Sequence, residues 1–143
     1  MDSHYDDNPF LKMVGPELAE WRDGYVRVNL SLVSHHLNRA GVVHGGVLMT
    51  MLDHAGGYSG LYCTVPGNKR YGVTLSLTTN FVSQSNDGEL ITIGERVRGG
   101  NKIFFAKSEV RTSAGVIIAT ASGVYRYRSG SELPQGVRAR DAR

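Results

Sequence analysis

Between Gly24 and Leu30, apolar Val26, Val28 and Leu30 alternate with Arg27 and Asn29, the period-two pattern of a half-buried strand. The period changes at Gly45. From there to about Cys63, a step of roughly 100° per residue gathers Val47, Leu48, Met51, Leu52, Ala55, Tyr58 and Tyr62 on one broad face. Met49, Thr50, Asp53, Gly57 and Gly60 fall opposite, so the pattern predicts one long helix, stopped by Pro66-Gly67. Period two returns from Tyr71 to Tyr127. Val73, Leu75, Leu77, Thr79 and Phe81 alternate with Thr74, Ser76, Thr78, Asn80 and Val82. Turn signals at Ser85–Gly88, Gly99–Asn101 and Ser113–Gly115 then separate the runs Leu90–Arg98, Lys102–Thr112 and Val116–Tyr127. Upstream, Asn8–Val14 reads as a short amphipathic helix with Phe10, Leu11 and Val14 on one side. The order strand, helix, four hairpin-linked strands predicts an α+β domain: one antiparallel sheet packed on a single long helix.

A chain of 143 residues is expected to form one domain with one core. The boundaries expected are a folded unit over 1–128 and a basic, flexible tail over 129–143. The net charge of +3 supports that division. Residues 1–125 carry eleven Lys/Arg against eleven Asp/Glu, and the surplus lies in Arg126, Arg128, Arg138, Arg140 and Arg143, opposed by Glu132 and Asp141. No basic stretch interleaved with aromatics runs through the body, which argues against nucleic acid as a partner. No apolar run approaches the ~18–20 residues of a membrane span. The N-terminus MDSHYDDNPF, with three aspartates and no apolar stretch, does not read as a secretory signal. With Cys63 as the one cysteine, an intramolecular disulfide and a cysteine-built metal cage are excluded, and a reduced cytoplasmic protein is expected.

Candidate chemistry concentrates at Asn38-Arg-Ala-Gly41-Val-Val-His44-Gly45-Gly46, with Asp53 seven residues after the last glycine. Gly45 and Gly46 open the predicted helix, where backbone N–H groups lack partners and can bind a carbonyl oxygen or an anion. Asp53 lies on the face turned away from the apolar stripe, flanked by Gly56, Gly57 and Gly60. Each glycine in a helix interior costs roughly 1 kcal/mol relative to alanine. Such a cluster predicts close packing by a partner helix or a ligand. A carboxylate near a polarising N–H is a workable hydrolytic pair. On one helix, however, Asp53 stands eight residues, or ~12 Å, beyond Gly45, too far for both to serve one carbonyl. His35, His36 and His54 lack the spacing of a metal motif, and no metal site is expected. Nucleophile-elbow, Walker and dinucleotide-binding motifs are absent from the sequence.

The combined pattern Asn38-x2-Gly41-x2-His44-Gly45-Gly46-x6-Asp53, with Ala55 after it and the strand Gly72–Leu77 beyond, resembles the hotdog-fold acyl-CoA thioesterases. It is similar to the PaaI-like branch of the 4-hydroxybenzoyl-CoA thioesterase superfamily, over roughly Gly24 to Tyr127. The resemblance implies a sheet wrapped around one long central helix and hydrolysis of acyl-CoA or aryl-CoA thioesters. It implies Asp53 as general base or nucleophile, and Gly45 as the N–H that polarises the thioester carbonyl. His44 and Asn38 would hold the thioester end and the water, and Thr74 would help hold the carboxylate. Family members share each site between two subunits, implying a homodimer or homotetramer. Coenzyme A would be part of the substrate, with no separate cofactor. The arginine-rich stretch after Tyr127 matches nothing in the family pattern.

Two further expectations concern binding. The stretch Tyr71–Asn86 contains no Asp, Glu, Lys or Arg, so as an edge strand it should pair with a copy of itself. Beyond Gly46 at the thioester end, Arg96, Arg98 and Lys102 surround the Gly99–Asn101 turn, which, or else the arginine tail, is expected to meet the nucleotide phosphates. A non-catalytic acyl-CoA binding module and a hotdog hydratase are the alternative functions. The presence of Asp53 favours the enzyme over the binder, and the absence of an Asn-Pro-x-His motif disfavours the hydratase.

Overall fold

The computed structural model describes residues 8–138. A short helix α1 (Pro9–Val14) begins where the Asn8 side chain accepts the N–H groups of Phe10 and Leu11 at 3.2 Å each. It ends at Gly15, whose φ of 89° suits a residue without Cβ. Strands β1 (Glu17–Arg22) and β2 (Tyr25–Ser31) form a hairpin, and a 3₁₀ turn at Ser34–His36 leads to α2 (Gly45–Gly60). Then come β3 (Asn68–Lys69), β4 (Gly72–Phe81), β5 (Glu89–Gly99), β6 (Ile103–Thr112), β7 (Ile117–Tyr127) and β8 (Val137–Arg138). The main sheet has six strands in the order β1-β2-β5-β6-β7-β4, every neighbouring pair antiparallel. It wraps α2, which is the hotdog arrangement.

The core lies between α2 and the inner sheet face. Leu48, Met51, Leu52 and Ala55 of the helix meet Val26, Val28, Leu30, Leu90, Val110 and Ile118, all at most 3% exposed. Burying each large aliphatic side chain contributes roughly 1.5–3 kcal/mol. The helix sits very close to the sheet where it crosses β5: a Cβ on Gly94 would run into the Ala55 carbonyl. Ser108 Oγ adds a 2.9 Å donation to Leu52 O.

Three expectations need correction. The long helix stops at Gly60 rather than near Cys63, because the Leu61 N–H turns back to Tyr58 O at 3.1 Å. Gly60 faces the core rather than sharing the open side with Asp53. A Cβ there would overlap the ring of Phe104, and one on Gly56 would overlap Tyr125, so the glycines make room for side chains of the chain's own sheet. The stretch 129–138, expected as a flexible tail, folds back: β8 pairs with β3, Ser131 is buried, and Ser131 Oγ exchanges 3.1 Å hydrogen bonds with the Tyr71 backbone. Arg140 and Arg143 lie outside the described residues.

The alternation read along β4 is also broken. A bulge at Leu75 separates the pairs Thr74↔Tyr125 and Ser76↔Val124, so Thr74 and Leu77 both face α2. β4 is an edge strand, and on it Val73, Leu75 and Phe81 are substantially exposed.

Candidate active site

The start of α2 is built from backbone. The His44 ring caps the helix, its Nδ1 accepting the Gly46 N–H at 2.8 Å, while His44 O accepts from Val47 and Leu48. An accepting Nδ1 puts the ring proton on Nε2, which remains a donor on this exposed residue. The Gly45 N–H takes no part in this cap. The preceding loop is held by Asn38, whose Oδ1 accepts from Ala40 at 2.9 Å and Val42 at 3.3 Å. Only the amide NH₂ of Asn38 is therefore left to face anything else. The ring of Phe81, from the end of β4, packs against Gly45.

Two turns further on, the site is built from side chains. Asp53 is half-buried between α2 and β4, and Thr74 Oγ1 donates to its Oδ1 at 2.7 Å. Thr74 can do this because the Leu75 bulge turns it inward. Its cross-strand partner Tyr125 donates its hydroxyl to the Asp53 backbone carbonyl at 3.4 Å. Burial, and then the charge of Asp53, push the Tyr125 phenol well above its ordinary range, so this hydroxyl stays a donor. Tyr125 has no signal in the sequence apart from the glycines: Gly56 and Gly123 would each collide with it if they carried a Cβ.

The two halves line different grooves. Asp53, His54, Thr74, Met49 and Leu77 line one of about 360 Å³. His44, Gly46, His35, His36 and Val47 line a neighbouring one of about 470 Å³. Phe10 and Thr50 belong to both, forming the divide. Within one chain the structure therefore joins Asp53 to Thr74 and His44 to Gly46, but not one pair to the other.

The remaining candidates sit elsewhere. Arg96 Nη1 is bound to Asp23 Oδ1 at 2.9 Å, which raises its pKa further and ties it to the β1–β2 turn. Arg98 and Lys102 are exposed at the β5–β6 turn, beside Phe104 and thus at the helix's C-terminal end. His36 is structural: buried, it accepts the Val33 N–H at Nδ1 and donates Nε2–H to Val14 O at 2.6 Å. His54 is buried against Tyr58, ring centroids 4.3 Å apart, and desolvation lowers its pKa to about 4. No helix among the described residues is long and apolar enough to cross a membrane.

A family model described as the thioesterase superfamily matches residues 40–119, more than half of the chain and the stretch that holds Gly45, Asp53 and Thr74. A protein of Archaeoglobus fulgidus named "Putative esterase" is 28% identical over 134 residues, covering 93% of this chain and 83% of its own length. Among solved structures, a hypothetical thioesterase from Streptococcus pneumoniae, crystallised with coenzyme A, superposes with a TM-score of 0.70. It is 26% identical and covers 87% of this chain and 89% of that one. The E. coli PaaI protein from the phenylacetic acid degradation operon shares the fold, with a TM-score of 0.78 at 19% identity, over 89% of each chain. The chain belongs to the thioesterase superfamily, and it is a hotdog-fold hydrolase acting on thioesters.

Proposed function

We propose that the protein hydrolyses acyl-CoA or aryl-CoA thioesters at sites shared by two copies of the chain. The carrying observation is the separation of the Asp53–Thr74 pair from the helix start by ~12 Å along α2. A reacting carbonyl must lie about 3–3.5 Å from its attacker. A second helix running antiparallel beside the first would bring Asp53 of one chain to the Gly45 N–H of the other. The uncharged edge of β4, with Val73, Leu75 and Phe81 exposed, is the surface on which that second copy would extend the sheet.

In this arrangement the thioester oxygen accepts the Gly45 N–H. As attack proceeds the oxygen gains charge, which the positive end of α2 stabilises. Asp53 acts on the other side of the carbonyl, either removing a proton from water or attacking the carbon itself. The Thr74 hydroxyl fixes one carboxylate oxygen and leaves the other for the reaction. The His44 Nε2–H and the Asn38 amide are donors placed to hold the thioester end and the water. When water attacks, loss of the thiolate of coenzyme A, which can take the proton that Asp53 removed, completes the hydrolysis. When Asp53 attacks, loss of the thiolate leaves a mixed anhydride on Asp53 that a water then cleaves to free acid and carboxylate. A coenzyme A complex of a relative 26% identical supports the choice of thiol. With Arg96 committed to Asp23, Arg98 and Lys102 are the better candidates for the nucleotide phosphates.

The test is a hydrolysis screen over short, long and aromatic CoA thioesters with a thiol-detecting reagent, using Asp53→Asn as control. Exchanging Asp53→Asn subunits with subunits defective at His44 and Gly45 should restore activity at one of two sites. No recovery in properly exchanged heterodimers would place the whole site in one chain.

A further inference from the structure

We infer that Phe10 and Met13, presented by α1, form the contact surface for the acyl part of the substrate, and that this part is apolar. The inference rests on the thioesterase reading above and extends it to substrate class. A helix of six residues is not stable in water by itself, so its position must be set by anchors. Those anchors are visible. Leu11 and Val14 are buried, and the Val14 carbonyl accepts the Nε2–H of buried His36. The same helix holds Phe10 52% and Met13 66% exposed on its outer side. Large apolar side chains fixed in the open by a buried scaffold call for a contact.

The place of Phe10 says which contact. It lines the groove that contains Asp53 and also the groove that contains His44 and Gly46. In a site shared by two copies, Phe10 of one copy borders the Asp53 groove and Phe10 of the other borders the groove of His44 and Gly46. An apolar group bonded to the reacting carbonyl therefore has Phe10 beside it from either copy. Met13 and Val47 continue the apolar wall on one side of it, and Met49 on the other, itself 43% exposed. None of the described residues lining either groove is Lys or Arg, so the diphosphate of coenzyme A has no counter-charge there. Of the two ends of a CoA thioester, only the acyl end suits this surface. Unbranched thioethers beside a phenyl ring also let the surface adapt to acyl groups of different outline.

The experiment compares wild type, Phe10→Ala, Phe10→Leu and Phe10→Ala/Met13→Ala on acetyl-CoA, hexanoyl-CoA and benzoyl-CoA, with melting temperature and solution mass recorded for each. The ratio of kcat/KM for hexanoyl-CoA over acetyl-CoA should fall about tenfold in Phe10→Ala and further in the double variant. Phe10→Leu should restore most of the ratio. Because Leu11 and Val14 are untouched, the melting temperature should move little. An unchanged ratio in an active enzyme overturns the inference. So does a loss of oligomer mass with no change in ratio, which would show the patch covered by a second copy. A wild type inactive on all three thioesters would instead overturn the function on which the inference stands.

Discussion

The two halves of α2 do different work. From Gly45 to Asp53 the helix borders open grooves: its first N–H is left out of the cap, and Met49, Thr50 and Asp53 reach the surface. From Gly56 to Gly60 it is packed against the sheet, with Gly56, Ser59 and Gly60 buried and Gly57 and Tyr58 half-buried. Gly56 and Gly60 lie against Tyr125 and Phe104, and the Tyr58 carbonyl accepts the indole N–H of Trp21 at 2.9 Å. The Gly60 carbonyl accepts the Tyr127 hydroxyl at 2.8 Å and an Arg70 N–H at 3.3 Å, with the Arg70 guanidinium also 4.1 Å over the Tyr127 ring. A cation and two hydroxyl or N–H donors at a helix C-terminus answer the carbonyls that would otherwise lack partners. One end is finished by the protein. The other keeps the Gly45 N–H outside the cap, and this is the group that the proposed mechanism gives to the substrate.

Substitutions in the two halves should therefore fail in different ways. Asp53→Asn keeps the shape and the Thr74 contact but removes the charge. Turnover should fall by about two orders of magnitude or more, with melting temperature and substrate binding little changed. Steady-state kinetics beside a thermal melt check both. Gly60→Ala should do the reverse. The new methyl meets the ring of fully buried Phe104, and overpacking of this kind costs about 2–3 kcal/mol. Denaturant titration should show that loss, while the folded fraction keeps its kcat. A Phe104→Leu partner change should recover part of the stability.

The same division explains what could be read from the sequence. The long helix, the four strands after it and the cluster from Asn38 to Asp53 were legible because each follows a clean period or a fixed spacing. Strand β1 was not. Its core-facing residues, buried Leu18 and half-buried Trp21, are three apart because the register shifts between Leu18 and Glu20, so a bulged strand imitates a helical spacing. The bulge at Leu75 hid the inward turn of Thr74 from alternation, although the family pattern pointed to that residue. The glycines of α2 signalled close packing correctly but not its source, since Tyr125 and Phe104 lie more than forty residues downstream. The folding back of residues 129–138 rests on Ser131 and on Arg70, which bonds the Ser131 carbonyl at 3.3 Å. Isolated polar residues of that kind carry no period to read.

His54 sits between the two halves and gives a pH test of them. Burial holds its pKa at about 4, against 6.5 for an unperturbed histidine. Above pH 6.5 the ring is neutral in both folded and unfolded chains, and its full contribution to stability is present. As pH falls from 6.5 toward 4 the unfolded chain takes up a proton that the folded one refuses, so stability falls. By pH 5 the loss from this residue should be about 2 kcal/mol. Chemical denaturation at pH 7 and pH 5 measures it. His54→Leu, which keeps an apolar contact for Tyr58, should flatten that part of the pH dependence. A variant with the wild-type slope would assign the slope to other groups.

The smallest effect expected is at the seam itself. Tyr125 rises from the packed half, under Gly56 and Gly123, and its hydroxyl ends at the backbone carbonyl of Asp53 in the open half. Its cross-strand partner Thr74 holds the carboxylate of the same residue, so one pair on the sheet fixes Asp53 at both backbone and side chain. A single hydrogen bond of this length is worth about 1 kcal/mol or less, so Tyr125→Phe should lower kcat no more than about fivefold and leave KM unchanged. The sharper readout is its coupling to Gly56. In Gly56→Ala the added methyl conflicts chiefly with the Tyr125 hydroxyl, which Tyr125→Phe removes. The double variant should therefore be more stable than Gly56→Ala alone, although each single change destabilises. Strictly additive losses would mean that the ring does not occupy the space the glycines leave, and that Asp53 is positioned by Thr74 without help from Tyr125.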